Sequence, residues 1–148
     1  MLNQILLELF ERDLNKLKTE ISSYKNENNL WLIEKSISNS AGNLCLHLLG
    51  NLNHFIGAVL GSSGYIRERE KEFSDKNIPR EKLISEIEKL LEIIKQTVGK
   101  LNQEDFEKTY PINVFQKEMT AGFFMIHLAT HLNYHLGQIN YHRRLIDN

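Results

Sequence analysis

Residues 40–60, SAGNLCLHLLGNLNHFIGAVL, contain no charged side chain. A stretch this long and this apolar is stable in water only if nearly every face of it is covered by other parts of the chain. Its leucines recur at three- and four-residue steps, which predicts a helix over about residues 40–60. The oxygens of Asn39 or Ser40 suit its N-terminus, and the GSSG at 61–64 ends it. Gly50 and Gly57 lie inside this helix on one face, although each costs about 1 kcal/mol there relative to alanine. Glycines in that setting are expected where a second helix backbone comes close.

A helix apolar on all sides needs partners that are apolar on one. Leu2, Ile5, Leu6, Leu9, Phe10, Leu14, Leu17 and Ile21 form one stripe on a first helix that ends near YKNENN. Trp31 follows in a connector expected to pack back on the core. Pro79 suits the first turn of a third helix, with Leu83, Ile84, Ile87, Leu90, Leu91, Ile94 and Val98 as its stripe. Thr120 can cap a fourth helix reaching about Arg144. TYPINVFQ (109–116) reads as an extended, β-like excursion, and YIREREKEF (65–73) as a solvated connection. The expectation is an all-α four-helix bundle, one domain over residues 1–148. The long connection between the second and third helices leaves both a crossover and a simple up-down order open.

The net charge of −1 calls for no nucleic acid and no anionic membrane surface as partner. Cys45 is the one cysteine, which excludes an intrachain disulfide and a cysteine-based zinc cluster. No run approaches the roughly 18 apolar residues of a membrane helix. The N-terminal stretch carries Glu8, Glu11, Arg12 and Asp13, unlike a secretory signal, so a cytoplasmic location is expected.

Four of the six histidines fall in HLATHLNYHLGQINYH, at positions 127, 131, 135 and 142. Residues four apart on a helix lie about 40° apart in angle and about 6 Å apart along the axis. Two imidazoles at that spacing can share one metal ion, with N–metal distances of about 2.0–2.1 Å. His127/His131 and His131/His135 both qualify, and spacing does not choose between them. His142 lies about 16 Å beyond His131, out of reach. A third nitrogen can come from the uncharged helix, from His47 or His54. The alternative is a set of buried histidines satisfied by carbonyls or carboxylates, but nothing in the uncharged helix offers such a partner.

The stretch HLNYHLGQINYHRRL resembles the last helix of the DinB-like superfamily, in which a histidine is followed four residues later by a second and then by x-Gly-Gln. That pattern falls on His131, His135, Gly137 and Gln138. NLWLIEKSISNSAGNLCLHLLGNL is similar to the family's Trp-containing connector and Asn-Ser helix start, with His47 at the position of the third ligand. HLLGNLNHF and RERE-KEF look like one bacterial sub-branch. The resemblance implies a four-helix bundle of up-down-down-up order and a mononuclear divalent metal, zinc or nickel, held by His47, His131 and His135. Homodimers are common in that family. Many relatives have arginine where this chain has Leu136, so relatives that steer an anionic substrate with it are a poorer guide.

Three neutral imidazoles leave the charge of a divalent ion uncompensated, which favours hydroxide, a thiolate or a substrate oxyanion beside it. The family contains thiol-dependent transferases. The expected function is therefore a metal-dependent enzyme resembling a thiol S-transferase, acting on a small-molecule substrate with a low-molecular-weight thiol. Metal-dependent hydrolysis and a non-catalytic metal- or ligand-binding dimer are the alternatives. Glu8 and Glu11 are conceivable general bases but read as surface acids. Gln138, His54 and His127 are candidates for supporting contacts around the ligands, and Tyr134 and Tyr141 for a pocket edge. Cys45 projects about 160° away from His47 and is not expected to take part. Metal uptake is expected to weaken below about pH 6, where imidazole protonates.

Overall fold

The apolar stripe of the first helix does what its spacing demands. In α1 (Leu2–Ser22), Leu6, Phe10, Leu14, Leu17 and Ile21 are buried. Ile5 is not, so the buried face is narrower than the stripe. The computed structural model describes residues 1–148, and its regular elements are all helical. A 3₁₀ turn at Glu27–Trp31, capped by the Asn26 side chain, swings Trp31 back into the core. Trp31 lies so close to the next helix that a Cβ on Gly42 would sit 2.6 Å from its ring. Only glycine fits at Gly42 without moving the indole.

Helix α2 (Ala41–Leu52) begins at Ser40, whose hydroxyl accepts from the Asn43 amide at 3.2 Å. Almost all of it is buried, as its lack of charge requires. Residues Asn53–Ala58 continue it as a π-helical turn. There the Val59 and Leu60 amides bond to the carbonyls of His54 and Ile56 and leave that of Phe55 aside. Phe55 instead accepts the Tyr110 hydroxyl at 2.6 Å. A backbone carbonyl released in this way is a usual consequence of a π-turn.

The charged stretch expected to be a solvated connection is partly folded and partly buried. It contains α3 (Arg69–Ser74), in which Glu72 is 6% exposed. Helix α4 (Arg80–Val98) starts just after Pro79 and buries Leu83, Ile87, Leu90, Ile94 and Val98. A short α5 (Gln103–Glu107) is held by a reciprocal Asn102–Asp105 capping box. The β-like excursion reduces to one antiparallel bridge between Thr109 and Thr120. Helix α6 (Ala121–Ile146) is capped by Thr120, as its sequence suggests.

Helix α1 packs against α4 and α6, while α2 is enclosed by α3, α4 and α6. One continuous apolar core runs through these contacts. Asp147 fastens the end of α6 to the connector by accepting from the Lys25 and Asn26 amides and the Asn29 side chain. No helix is long and apolar enough to cross a membrane. The packing that matters for function is α2 on α6 with α3 alongside, because it brings histidines from distant parts of the chain together.

Candidate metal centre

His131 and His135 occupy successive turns of α6, and His47 meets them from α2. His131 Nε2 lies 3.2 Å from His47 Nε2 and 3.1 Å from His135 Nε2. Three nitrogens bound at about 2.0–2.1 Å around a tetrahedral ion would be separated by about 3.3–3.4 Å. The rings meet edge-on, with interplanar angles between 77° and 90°. This is the geometry of three side chains aimed at one point. Of the two pairs that helical spacing leaves open, His131/His135 is the one that meets His47, and His127 stands outside this cluster.

The far nitrogens explain which way the rings present their lone pairs. His47 Nδ1 lies 3.0 Å from Glu72 Oε1, and His135 Nδ1 lies 2.7 Å from Gln138 Oε1. The Glu72 carboxylate can only accept, so His47 Nδ1 carries a proton and the Nε2 of the neutral ring is left as a bare lone pair; with the Gln138 amide oxygen facing the ring, the same holds for His135. Two lone pairs therefore point at the third Nε2. One N–H on His131 could satisfy only one of them well, and its own Nδ1 is buried without a partner. A cation at the common point satisfies all three nitrogens at once. Together the three histidines could hold a metal ion.

Glu72 is the acid at this centre, and it comes from α3 rather than from α1. Arg67 donates to it twice, from Nε at 2.8 Å and Nη2 at 2.9 Å. Burial alone would push this carboxyl up, but the hydrogen bonds and charges of Arg67 and His47 outweigh it and hold the group below the usual carboxylate range. The carboxylate also accounts for Gly50. A Cβ there would overlap Glu72 Oε2 and sit 2.6 Å from its Cδ. The close neighbour expected for that glycine is a carboxylate, not a helix backbone. Glu8 and Glu11 are exposed, and Glu11 pairs with Lys95 at 3.1 Å.

The remaining histidines divide clearly. His127 lies along His131, with centroids 6.2 Å apart and planes 27° apart, and its other neighbours are Phe115 and Phe124. His54 packs on Phe55 in the π-turn and makes no hydrogen bond to the three. His142 is in the core, bonded to the Tyr24 hydroxyl at 2.7 Å and the Leu32 carbonyl at 2.9 Å. It is satisfied in the way expected of a structural histidine. Cys45 is fully buried, which pushes its thiol up to about 12 and removes it as a nucleophile. Beside His135 a cavity of about 520 Å³ opens past Gln138, Tyr134, Tyr141 and Asn39, with no Asp, Glu, Lys or Arg in its lining.

Burial lowers His131 to about 4, helped by the neighbouring imidazoles of His135, His47 and His127 and by Arg67. Burial lowers His135 as well, against the opposing hydrogen bond to Gln138. Both groups thus have a folded pKa below the ordinary 6.5. Protonating either group in the fold therefore costs stability: nothing is lost above that value, and the loss grows as pH falls towards the folded pKa. For His131 the loss runs from about pH 6.5 towards pH 4. Thermal melts of metal-free protein across that range should fall more steeply for the wild type than for His131→Ala. Parallel melting curves for the two proteins would contradict this.

The family model described as "Protein of unknown function (DUF1572)" matches residues 4–148, almost the whole chain and all three histidines. No curated protein matches the chain. By that match, the chain belongs to the DUF1572 family.

Proposed function

We propose that this chain is a DinB-like four-helix bundle of up-down-down-up order, and a metal-dependent enzyme that transfers a low-molecular-weight thiol to an electrophilic small molecule. The observation that carries the proposal is the meeting of three imidazole Nε2 atoms, two of them held as lone pairs by acceptors on their far nitrogens. His47, His131 and His135 would hold the ion, zinc or nickel. Bound there, a divalent ion supplies Lewis acidity that stabilises the deprotonated form of a thiol or of water.

The chain's own residues favour the thiol over water. Glu72, the carboxylate that touches the centre, has Oε1 shared by His47 and Arg67 and Oε2 taken by Arg67. It is therefore not free to take a proton from water, as hydrolysis by a general base would need. A thiol needs less help, since its ordinary pKa of about 8.5 is already near neutrality. The uncharged lining beside His135 suits a neutral electrophile, in keeping with Leu136, which is buried and offers no charge to an anion. Homodimerisation and a cytoplasmic location belong to the same reading. Hydrolysis and a non-catalytic metal- or ligand-binding dimer are its rivals.

The test is a panel of thiols against neutral electrophiles, run on untagged protein loaded with zinc or nickel. Thioether formation that requires both metal and thiol is the expected result. Turnover of an ester or amide without any thiol would replace this reading with hydrolysis. Stoichiometric metal with no turnover in either panel would leave the binding protein.

A further inference from the structure

We propose that Glu72, held by Arg67 and admitted by Gly50, is the positioning residue of this centre: it fixes the His47 ring with its proton on Nδ1 and its lone pair towards His131 and His135. The inference rests on the metal reading above but makes a separate claim, about a residue on a segment whose sequence looks solvent-exposed.

His47 stands alone on its helix, whereas His131 and His135 orient each other along one turn. Rotation about its Cβ–Cγ bond is roughly two-fold, and a 180° flip would exchange Nε2 with Cε1, so only one of the two ring orientations directs Nε2 at the partners. The 3.0 Å contact from Nδ1 to Glu72 Oε1 selects that one. Glu72 is in turn fixed at two points by Arg67, whose guanidinium lies 5.7 Å from the Phe55 ring centroid. The carboxylate reaches His47 only because residue 50, on the same helix, has no side chain. A buried ion pair contributes little net stability against well-packed apolar residues. What this one does is hold an imidazole. Supporting hydrogen bonds of this kind typically change metal affinity by about 10–100-fold when removed.

Zinc affinity would be measured at neutral pH by competition with a chromophoric chelator, on untagged protein whose fold is checked by circular dichroism. The His47 tautomer would be read separately by nitrogen NMR of the metal-free protein. Glu72→Ala should lower zinc affinity by about 10–100-fold and let the Nε2–H tautomer appear. Glu72→Gln keeps an acceptor for the Nδ1 proton, so it should preserve the tautomer and lose less affinity. Gly50→Ala leaves the carboxylate in the chain but displaces it, and should resemble Glu72→Ala. Wild-type affinity and tautomer in both Glu72→Ala and Gly50→Ala would overturn the proposal. If the wild type binds no zinc, the metal reading fails. The tautomers of metal-free wild type and Glu72→Ala then decide alone whether Glu72 orients His47.

Discussion

His131→Ala is expected to lose tight metal binding and keep its fold. Its Nε2 is the shared vertex of the cluster, 3.2 Å from His47 and 3.1 Å from His135. Without it, two ligands from two helices remain, and the loss should exceed the roughly 10–100-fold that follows removal of a supporting group. Stability should move the other way or barely at all. The wild-type imidazole buries an Nδ1 with no partner, and an unsatisfied buried polar atom costs about 1–3 kcal/mol. Alanine removes that cost, which offsets most of the packing lost with the ring. The metal-free variant should therefore melt close to the wild type at neutral pH. Metal analysis of untagged protein beside chemical denaturation separates the two effects. A variant that still carries near-stoichiometric metal sinks the assignment, and one that fails to fold shows that the imidazole is structural.

The parts of this centre visible in the sequence are those governed by helical periodicity. His131 and His135 are one turn apart in any straight helix, so their shared direction follows from the chain alone. The uncharged stretch from Ser40 to Leu60 identifies a buried helix for the same kind of reason. Its meeting with α6 depends on tertiary packing, and only the family resemblance indicated His47 as the third member. Glu72 and Arg67 were hidden because a run such as RERE-KEF has no apolar period and looks solvated. Glu72 becomes buried, and Arg67 partly buried, only when the segment folds across α2. The signal for this lay in Gly50, a costly residue in a helix that otherwise favours large apolar side chains. Its spacing suggested a neighbouring helix, and the space turns out to admit a carboxylate. The π-turn at 53–58 left no trace that periodicity could detect, since this helix is apolar on every side and has no stripe whose phase an inserted residue could shift.

Phe124→Ala should produce the largest loss of stability, about 3–5 kcal/mol. The Phe124 ring is 1% exposed and lies 4.4 Å from Tyr110, 5.0 Å from Phe55 and 6.0 Å from Phe115, centroid to centroid. The cost of such a truncation depends on how far the surroundings can collapse, and here they are held. Tyr110 is tied at its hydroxyl to the Phe55 carbonyl and at its amide to the Met119 carbonyl. Phe55 sits in the π-turn that frees that carbonyl. The cavity should persist, and with a slope of about 2 kcal/mol per molar urea the unfolding midpoint should fall by about 2 M. Phe124→Leu, which refills much of the space, should lose far less. The same variant also tests the histidines, because the His127 ring stacks on Phe124 at 5.8 Å and on His131 at 6.2 Å. If His127 is only a neighbour of the centre, Phe124→Ala changes metal affinity by a few-fold at most while stability drops sharply. A collapse of affinity comparable to that in His131→Ala would instead make His127 part of the metal site.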